Sequence, residues 1–156
     1  MDTKGQVCKL DAGHQRWDIG DECGDGIEEN NRLFMEHGNG FLNLVNDAKS
    51  RVKEITIEQV RVRLAANPRA VLIDVREDGE WQAGHAIGAV HLGKGILERD
   101  IEKTFPERDR ELILYCGGGF RSALSADAAQ KMGYQNVFSL AGGYKAMVAA
   151  DWKMDR

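Results

Sequence analysis

The sequence predicts an α/β fold in which a parallel β-sheet is covered by helices on both faces. Short apolar runs rich in β-branched residues alternate along the chain with longer stretches of helical periodicity. The runs are apolar on both sides of the strand, which is typical of strands buried between two layers of helices. Ligands of such sheets bind beyond the carboxyl ends of the strands, so the residues that follow each strand are the first candidates for a site.

The first forty residues differ in composition from the rest of the chain. Residues 1–40 hold nine Asp and Glu against four Lys and Arg, whereas residues 41–156 are close to neutral. The first segment also lacks a helical or strand period, and this composition is typical of a flexible or loosely docked segment. We therefore predict an acidic N-terminal extension at 1–40 and one ordered domain at 41–156.

Two metal-binding patterns in the extension are incomplete. The stretch from Asp21 resembles the start of a calcium loop, but Cys23 and Arg32 stand where that loop has ligands. Four further residues of zinc-ligand type are spaced unlike any common zinc module: Cys8, His14, Cys23 and His37. We predict no metal and no cofactor.

Two helices precede the first strand predicted in the ordered domain. The apolar residues of "FLNLVNDAKSRVK" (41–53) recur at intervals of three and four, which indicates an amphipathic helix. Thr56 and Gln59 form a T-x-x-Q capping box, and "ANP" at 66–68 ends the helix that this box begins. The next run, "AVLIDV" (70–75), is a buried strand.

The later elements continue the alternation. Gly133 is the predicted C-cap of the longest helix among them. In chain order we predict a strand at 88–93, a helix at 96–103, a strand at 111–116, a helix at 122–133, a strand at 136–140 and a helix at 142–152.

A cysteine stands at the end of the strand "ELILYC" and is followed by "GGGFRS". A free thiol has a pKa of about 8.5, so its activation needs amide donors or positive charge nearby. Glycines allow the loop to curl around the sulfur with its amides pointing inward, and Arg121 adds a fixed charge. We predict Cys116 and Arg121 as catalytic residues. The predicted substrate-binding residues of the loop are Gly117, Gly118, Gly119, Phe120 and Ser122.

Four motifs follow one another along the chain: "LIDVRE" (72–77), "EWQAGHAIGAVHL" (80–92), "LYCGGGFRSA" (114–123) and "VFSLAGGYKAM" (137–147). In this order they resemble the single-domain rhodaneses, a family of thiosulfate or persulfide sulfurtransferases. The resemblance runs from about Phe41 to Trp152 and implies a central five-stranded parallel sheet with helices on both faces. It also implies that Cys116 carries a persulfide.

The resemblance assigns supporting roles outside the loop. It implies a buried Asp74 that orients its neighbours, and a surface Arg76 that forms a salt bridge or binds the donor anion. We place Arg76 among the substrate-binding residues on this basis. We expect His85 to fix a turn through hydrogen bonds, and the glycine turn at 142–143 to pack beside the cysteine loop.

Two other functions are open to the same fold. Tyrosine phosphatases and arsenate-reducing relatives use a C-x5-R loop, whereas Cys116 to Arg121 is C-x4-R, which suits one sulfur atom better than a tetrahedral anion. Rhodanese-fold domains also serve as interaction or sulfur-relay carrier modules, although the inactive ones usually lack the cysteine. We predict a sulfurtransferase that passes a sulfane sulfur to a thiophilic acceptor such as cyanide, a thiol or a protein thiol.

Composition limits the partners of the protein. The near-neutral domain has no basic patch of the kind that binds nucleic acid. No apolar run approaches the ~20 residues of a membrane helix, and the first residues lack the apolar core of a signal peptide. Three widely spaced cysteines fit a reducing compartment. We therefore expect a cytoplasmic protein whose partners are a small sulfur donor, an acceptor and a sulfur-relay protein.

Overall fold

A computed structural model describes residues 37–156 of the chain. The calcium-like and zinc-like patterns of the predicted extension lie outside the described residues, apart from His37. In the described part the helices are α1 (Asn39–Lys49), α2 (Ile57–Ala66), α3 (Asp78–Ala83), α4 (Leu97–Thr104), α5 (Phe120–Lys131) and α6 (Gly143–Ala149). The strands are β1 (Lys53–Ile55), β2 (Val71–Asp74), β3 (His85–Ala86), β4 (Ala89–His91), β5 (Glu111–Tyr115), β6 (Asn136–Leu140) and β7 (Met154–Asp155).

Five of these strands form one parallel sheet in the order β1-β6-β5-β2-β4. β5 lies in the centre, where Ile113 pairs with Leu72 of β2 on one side and with Phe138 of β6 on the other. The five-stranded parallel sheet implied by the resemblance is thus confirmed. A separate antiparallel pair joins β3 to β7.

The side chains of β5 show how the sheet is covered. Leu112 and Leu114 belong to a core cluster that includes residues of α4 and α5, whereas Ile113 and Tyr115 belong to a second cluster with residues of α2 and α6. All four side chains are fully buried. Successive residues of a strand point to opposite faces, so helices cover both faces of the sheet as predicted.

The ends of the helices follow local sequence signals. The Thr56 side chain accepts from the amide of Gln59, and the Gln59 side chain accepts from the amide of Thr56, so the predicted capping box is present. α2 then ends at Ala66, two residues before Pro68. No helix within residues 37–156 is long and apolar enough to cross a membrane.

The structure corrects several predicted boundaries. The helix predicted at 41–53 ends at Lys49 in the structure. Lys53, predicted as the last residue of that helix, is instead the first residue of the edge strand β1. Only Ile55 of that strand is buried, so three residues carried too little pattern to reveal it. α3, β3 and β7 were not predicted, and α5 begins at Phe120 rather than at residue 122.

Candidate functional site

The cysteine loop starts at the carboxyl end of the central strand. Cys116 follows β5 directly and is 1% exposed, and its Sγ accepts a hydrogen bond from the amide of Gly119 at 3.1 Å. Within residues 37–156, the amides of Gly117 and Gly118 and of residues 120–122 have no hydrogen-bond acceptor. The sulfur therefore lies in a loop rich in unpaired amide donors, which favour an anion at that position.

Gly119 allows the loop to close. Its φ is +98°, a conformation that side chains rarely adopt. A Cβ at this position would lie 3.1 Å from the amide nitrogen of Gly142 and 3.2 Å from the carbonyl oxygen of Leu140. The glycine is therefore required both by the turn and by the close approach of the next loop of the sheet.

The glycine turn before α6 supports the cysteine loop from the other side. The amide of Tyr144 donates to the carbonyl of Cys116 at 2.6 Å, and the amide of Lys145 donates to the carbonyl of Gly117 at 3.2 Å. Gly143 has a φ of +53°, and a Cβ there would overlap the Cys116 carbonyl oxygen. The predicted packing of this turn beside the loop is confirmed.

Arg121 does not stand free at the end of the loop. Its Nη1 donates to Oε2 of Glu80 at 2.6 Å and its Nη2 donates to Oε1 at 2.9 Å, so both terminal nitrogens are held by one carboxylate of α3. Hydrogen bonding to Arg121 is the main cause that lowers the pKa of Glu80, and hydrogen bonding to Glu80 raises the pKa of Arg121. The prediction of loop amides and Arg121 therefore omitted Glu80, which binds both terminal nitrogens of Arg121.

Glu80 also takes part in the start of its own helix. Its carboxylate accepts from the amide of Glu77 at 3.2 Å, as the third residue of a capping box. Glu80 lies within the motif at 80–92, but no role was predicted for it. Its place three residues after Glu77 was a visible helix signal, whereas its pairing with Arg121, 41 residues later, depends on the fold.

Arg76 is buried rather than on the surface, which corrects the prediction. The residue is 4% exposed, its Nε and Nη2 donate to the carboxylate of Asp74, and Nη2 also donates to the carbonyl of Gly84 at 2.7 Å. The guanidinium lies 4.1 Å from the ring centroid of Tyr144. Burial is the largest single influence on the pKa of Arg76 and acts to lower it, but the hydrogen bonds that Arg76 donates to Asp74 and the negative charge of Asp74 together raise the pKa. Because Arg76 is enclosed in this way, little of its guanidinium is accessible to a donor anion from solvent.

His85 is the first residue of β3 and follows Gly84, the C-cap of α3. Its Nδ1 is 3.0 Å from the carbonyl oxygen of Trp81, to which it donates, and its ring stacks on the indole at a centroid distance of 3.4 Å. The neighbouring Ala86 donates its amide to the hydroxyl of Tyr115 at 3.1 Å. These contacts tie the end of α3, and with it the helix that carries Glu80, to the central strand.

A glycine-rich cysteine loop after the central strand of a five-stranded parallel sheet narrows the choice of family. Residues 56–150 match the family model of the rhodanese-like domain. The chain belongs to the rhodanese-like domain family. That match covers more than half of the chain and includes the strands β2, β4, β5 and β6.

Relatives of this rhodanese-like domain occur in proteins of different length. It is 34% identical over 94 residues to YqhL of Bacillus subtilis, covering 60% of this chain and 71% of YqhL. It is 32% identical over 105 residues to MoeZ of Mycobacterium tuberculosis, a probable adenylyltransferase/sulfurtransferase, covering 66% of this chain but 27% of MoeZ. It is 28% identical over 103 residues to YrkF of Bacillus subtilis, a candidate sulfur carrier protein, covering 66% of this chain and 52% of YrkF.

Solved structures show the same architecture. A protein of Rhodopseudomonas palustris, described as of unknown function and a possible tyrosine phosphatase, has a TM-score of 0.69 at 27% identity, covering 76% of this chain and 96% of its own. The human single-domain sulfurtransferase has a TM-score of 0.56 at 25% identity, covering 63% of this chain and 96% of its own. The proteins that this rhodanese-like domain resembles thus include a sulfurtransferase and a candidate sulfur carrier.

The side chains of Phe120 and Ser122, two of the predicted substrate-binding residues, contact other parts of the protein. The Phe120 ring packs against His37 and Phe41, at centroid distances of 5.0 and 6.3 Å. Ser122 is fully buried, and its hydroxyl lies 2.8 Å from that of Ser139 in β6. Only the backbone amides of these two loop residues remain for a ligand, and the predicted loop of inward-pointing amides needs no more from them.

Proposed function

We propose that this rhodanese-like domain is a sulfurtransferase that works through a persulfide on Cys116. It takes a sulfane sulfur from thiosulfate or a persulfide and passes it to cyanide, a thiol or a protein thiol. The observation that carries the proposal is the buried Sγ of Cys116, hydrogen-bonded to the Gly119 amide inside a loop of unpaired amides. The same donors suit the thiolate before transfer and the terminal sulfur of the persulfide after it.

The two half-reactions balance without a cofactor. The Cys116 thiolate attacks the sulfane sulfur of the donor, and the bond to the rest of the donor breaks with its electron pair. Sulfite leaves from thiosulfate, and a thiolate leaves from a persulfide. The acceptor then attacks the terminal sulfur of the Cys116 persulfide, which releases the cysteine thiolate for another cycle.

The residues around Cys116 have separate roles in the proposed sulfur transfer. The amides of Gly117, Gly118 and Gly119 and the start of α5 hold the sulfur anion. The loop keeps its shape through the turn before α6 and through the ion pair of Arg121 with Glu80. We propose that residues 41–156 suffice for the chemistry and that it takes place in a reducing compartment such as the cytoplasm, where acceptor thiols stay reduced.

The length of the loop favours sulfur transfer over phosphatase chemistry. Cys116 to Arg121 spans six residues, one fewer than the C-x5-R loop of tyrosine phosphatases. A smaller ring of amides suits one sulfur atom better than a tetrahedral phosphate. We therefore expect no hydrolysis of aryl phosphates, although a protein of similar structure is described as a possible tyrosine phosphatase.

A sulfur-relay carrier is the second candidate function. The similarity to the candidate sulfur carrier YrkF favours it, since the Cys116 persulfide would form in the same way but be delivered only to a partner protein. The two functions differ in turnover. An enzyme produces thiocyanate from thiosulfate and cyanide in many cycles, whereas a carrier loads once and releases sulfur slowly to small acceptors.

Mass spectrometry of the intact protein after incubation with thiosulfate or a persulfide tests the proposal. We expect one added sulfur on the native chain, located on Cys116, and none on the Cys116→Ser variant. Thiocyanate formation with cyanide should likewise disappear in that variant. A Cys116→Ser chain that still gains sulfur, or a native chain that gains none from any donor, would overturn the assignment.

A further inference from the structure

The ion pair between Arg121 and Glu80 lies against the first residue after the cysteine. A Cβ built on Gly117 would lie 3.2 Å from Nη2 of Arg121 and 3.9 Å from Oε1 of Glu80. The two nitrogens that could bind a donor anion already bind this carboxylate. A donor that approaches Cys116 from this side meets a neutral pair rather than a free guanidinium.

Two further basic side chains of this region are also paired with carboxylates. Arg76 is paired with Asp74, and the Nζ of Lys49, which lies 5.2 Å from the centroid of the Phe120 ring, is paired with Glu54. The first turn of α3 adds acidic residues, and Glu77, the N-cap of this helix, also acts electrostatically on Arg121. Lys145 contacts the loop through its amide, which donates to the carbonyl of Gly117, and its side chain forms no ion pair within residues 37–156.

We propose that Glu80 makes the loop selective for sulfur donors that carry one negative charge or none, and so for persulfides over thiosulfate. The proposal rests on the proposed sulfurtransferase function. Thiosulfate is a dianion and releases sulfite, so both its approach and its leaving group call for free positive charge. A persulfide is a monoanion, or neutral when protonated, and releases a thiolate with a single charge. The loop amides accept the sulfane sulfur of either donor.

The size of the effect follows from Coulomb's law. Two unit charges 4 Å apart interact by about 1 kcal/mol in bulk water, which corresponds to a factor of about 5 in rate. Removal of the Glu80 charge acts twice as strongly on a dianionic donor as on a monoanionic one. The ratio of the two loading rates should therefore change by about 5-fold, and by more if the loop excludes water.

Two donors of the same chemistry but different charge provide the test. Thiosulfate carries two negative charges and methanethiosulfonate carries one, and each donates its terminal sulfur. We expect Glu80→Gln to raise the thiosulfate to methanethiosulfonate ratio of loading rates by about 5-fold or more. Glutamine keeps the capping position of α3. The double variant Glu80→Gln with Arg121→Gln should return the ratio towards that of the native chain, because the net charge of the loop is restored.

A charge-matched control and a salt titration complete the experiment. Glu98→Gln in α4 removes an exposed carboxylate outside the site and should leave the ratio unchanged. In the native chain, added salt should speed thiosulfate loading or leave it unchanged, since salt screens repulsion. The salt dependence tests the net charge of the loop even if Glu80→Gln fails to fold.

The outcomes separate this inference from the proposed function. Loading by neither donor would overturn the sulfurtransferase itself. Loading by both donors with an unchanged ratio in Glu80→Gln would overturn the charge selectivity alone. Thiosulfate loading of the native chain that falls steeply with salt would also overturn it, because that result requires a net positive loop.

Discussion

Arg121 lies in the same loop as Cys116, and its guanidinium forms an ion pair with Glu80. In an Arg121→Ala variant the carboxylate of Glu80 would stay beside the loop without its partner. A lost charge-assisted hydrogen bond costs about 1.5–3 kcal/mol, so we expect the loading of Cys116 by thiosulfate to slow by about 10- to 150-fold. The rate of sulfur addition, followed by mass spectrometry, measures the effect.

Arg99→Ala provides the matched control for this prediction. The Arg99 guanidinium is exposed and pairs with the adjacent Asp100, so its loss should leave loading unchanged. An Arg121→Ala variant that loads at the native rate would show that neither the charge of Arg121 nor its pairing with Glu80 matters to the reaction.

At the same scale, residue type and spacing predicted the position of the loop better than its contacts. The place of Cys116 at the end of the central strand was predictable because an apolar run precedes it and three glycines follow it. The pairing of Glu80 with Arg121 was not, because it joins α3 to α5 only in the folded chain. Arg76 was wrongly predicted on the surface because charged residues are rarely buried. Its burial is possible because it forms an ion pair with Asp74, two residues earlier.

At the scale of elements, the turn before α6 fixes the cysteine loop through the carbonyl groups of Cys116 and Gly117. Gly143 has a positive φ and leaves no room for a Cβ against the Cys116 carbonyl. Gly143→Ala should therefore displace the loop as well as strain the backbone. We expect sulfur loading to fall by at least about 10-fold, because even a small misplacement of a nucleophile is costly.

Gly133→Ala separates the two effects. Gly133 also has a positive φ, of +97°, but a Cβ there would meet no heavy atom within 4 Å. Both variants should lose about 1 kcal/mol of unfolding free energy from backbone strain, measured by urea denaturation. Only Gly143→Ala should lose loading rate. Equal loading rates in the two variants would contradict the role of the α6 turn.

The elements themselves were predictable to the extent that they carried a repeating pattern. The strands β2, β4, β5 and β6 appeared as apolar runs, and α2 appeared through its capping box. β1 was not predicted, because this edge strand has three residues and only Ile55 is buried. β3 and β7 are two residues each, and their pairing depends on a contact between distant parts of the chain.

At the scale of the whole molecule, the family match and the fold do not begin at the same place. The match starts at Thr56, yet β1 and α1 come before it. β1 forms the edge of the sheet on β6, and α1 buries Val45 and Ala48. The folded unit therefore includes residues that the family pattern leaves out.

This difference predicts the outcome of two truncations. A chain that begins at Gly40 keeps nearly all of α1 and the whole five-stranded sheet, so we expect it to fold and to load sulfur within about two-fold of the full chain. A chain that begins at Thr56 loses β1 and exposes the apolar surface that α1 covers, so we expect it not to fold. Circular dichroism with thermal denaturation, followed by the loading assay, distinguishes the two. A large loss of loading in the Gly40 chain would show that residues 1–39 take part in the chemistry, and a folded, active Thr56 chain would show that β1 and α1 are dispensable.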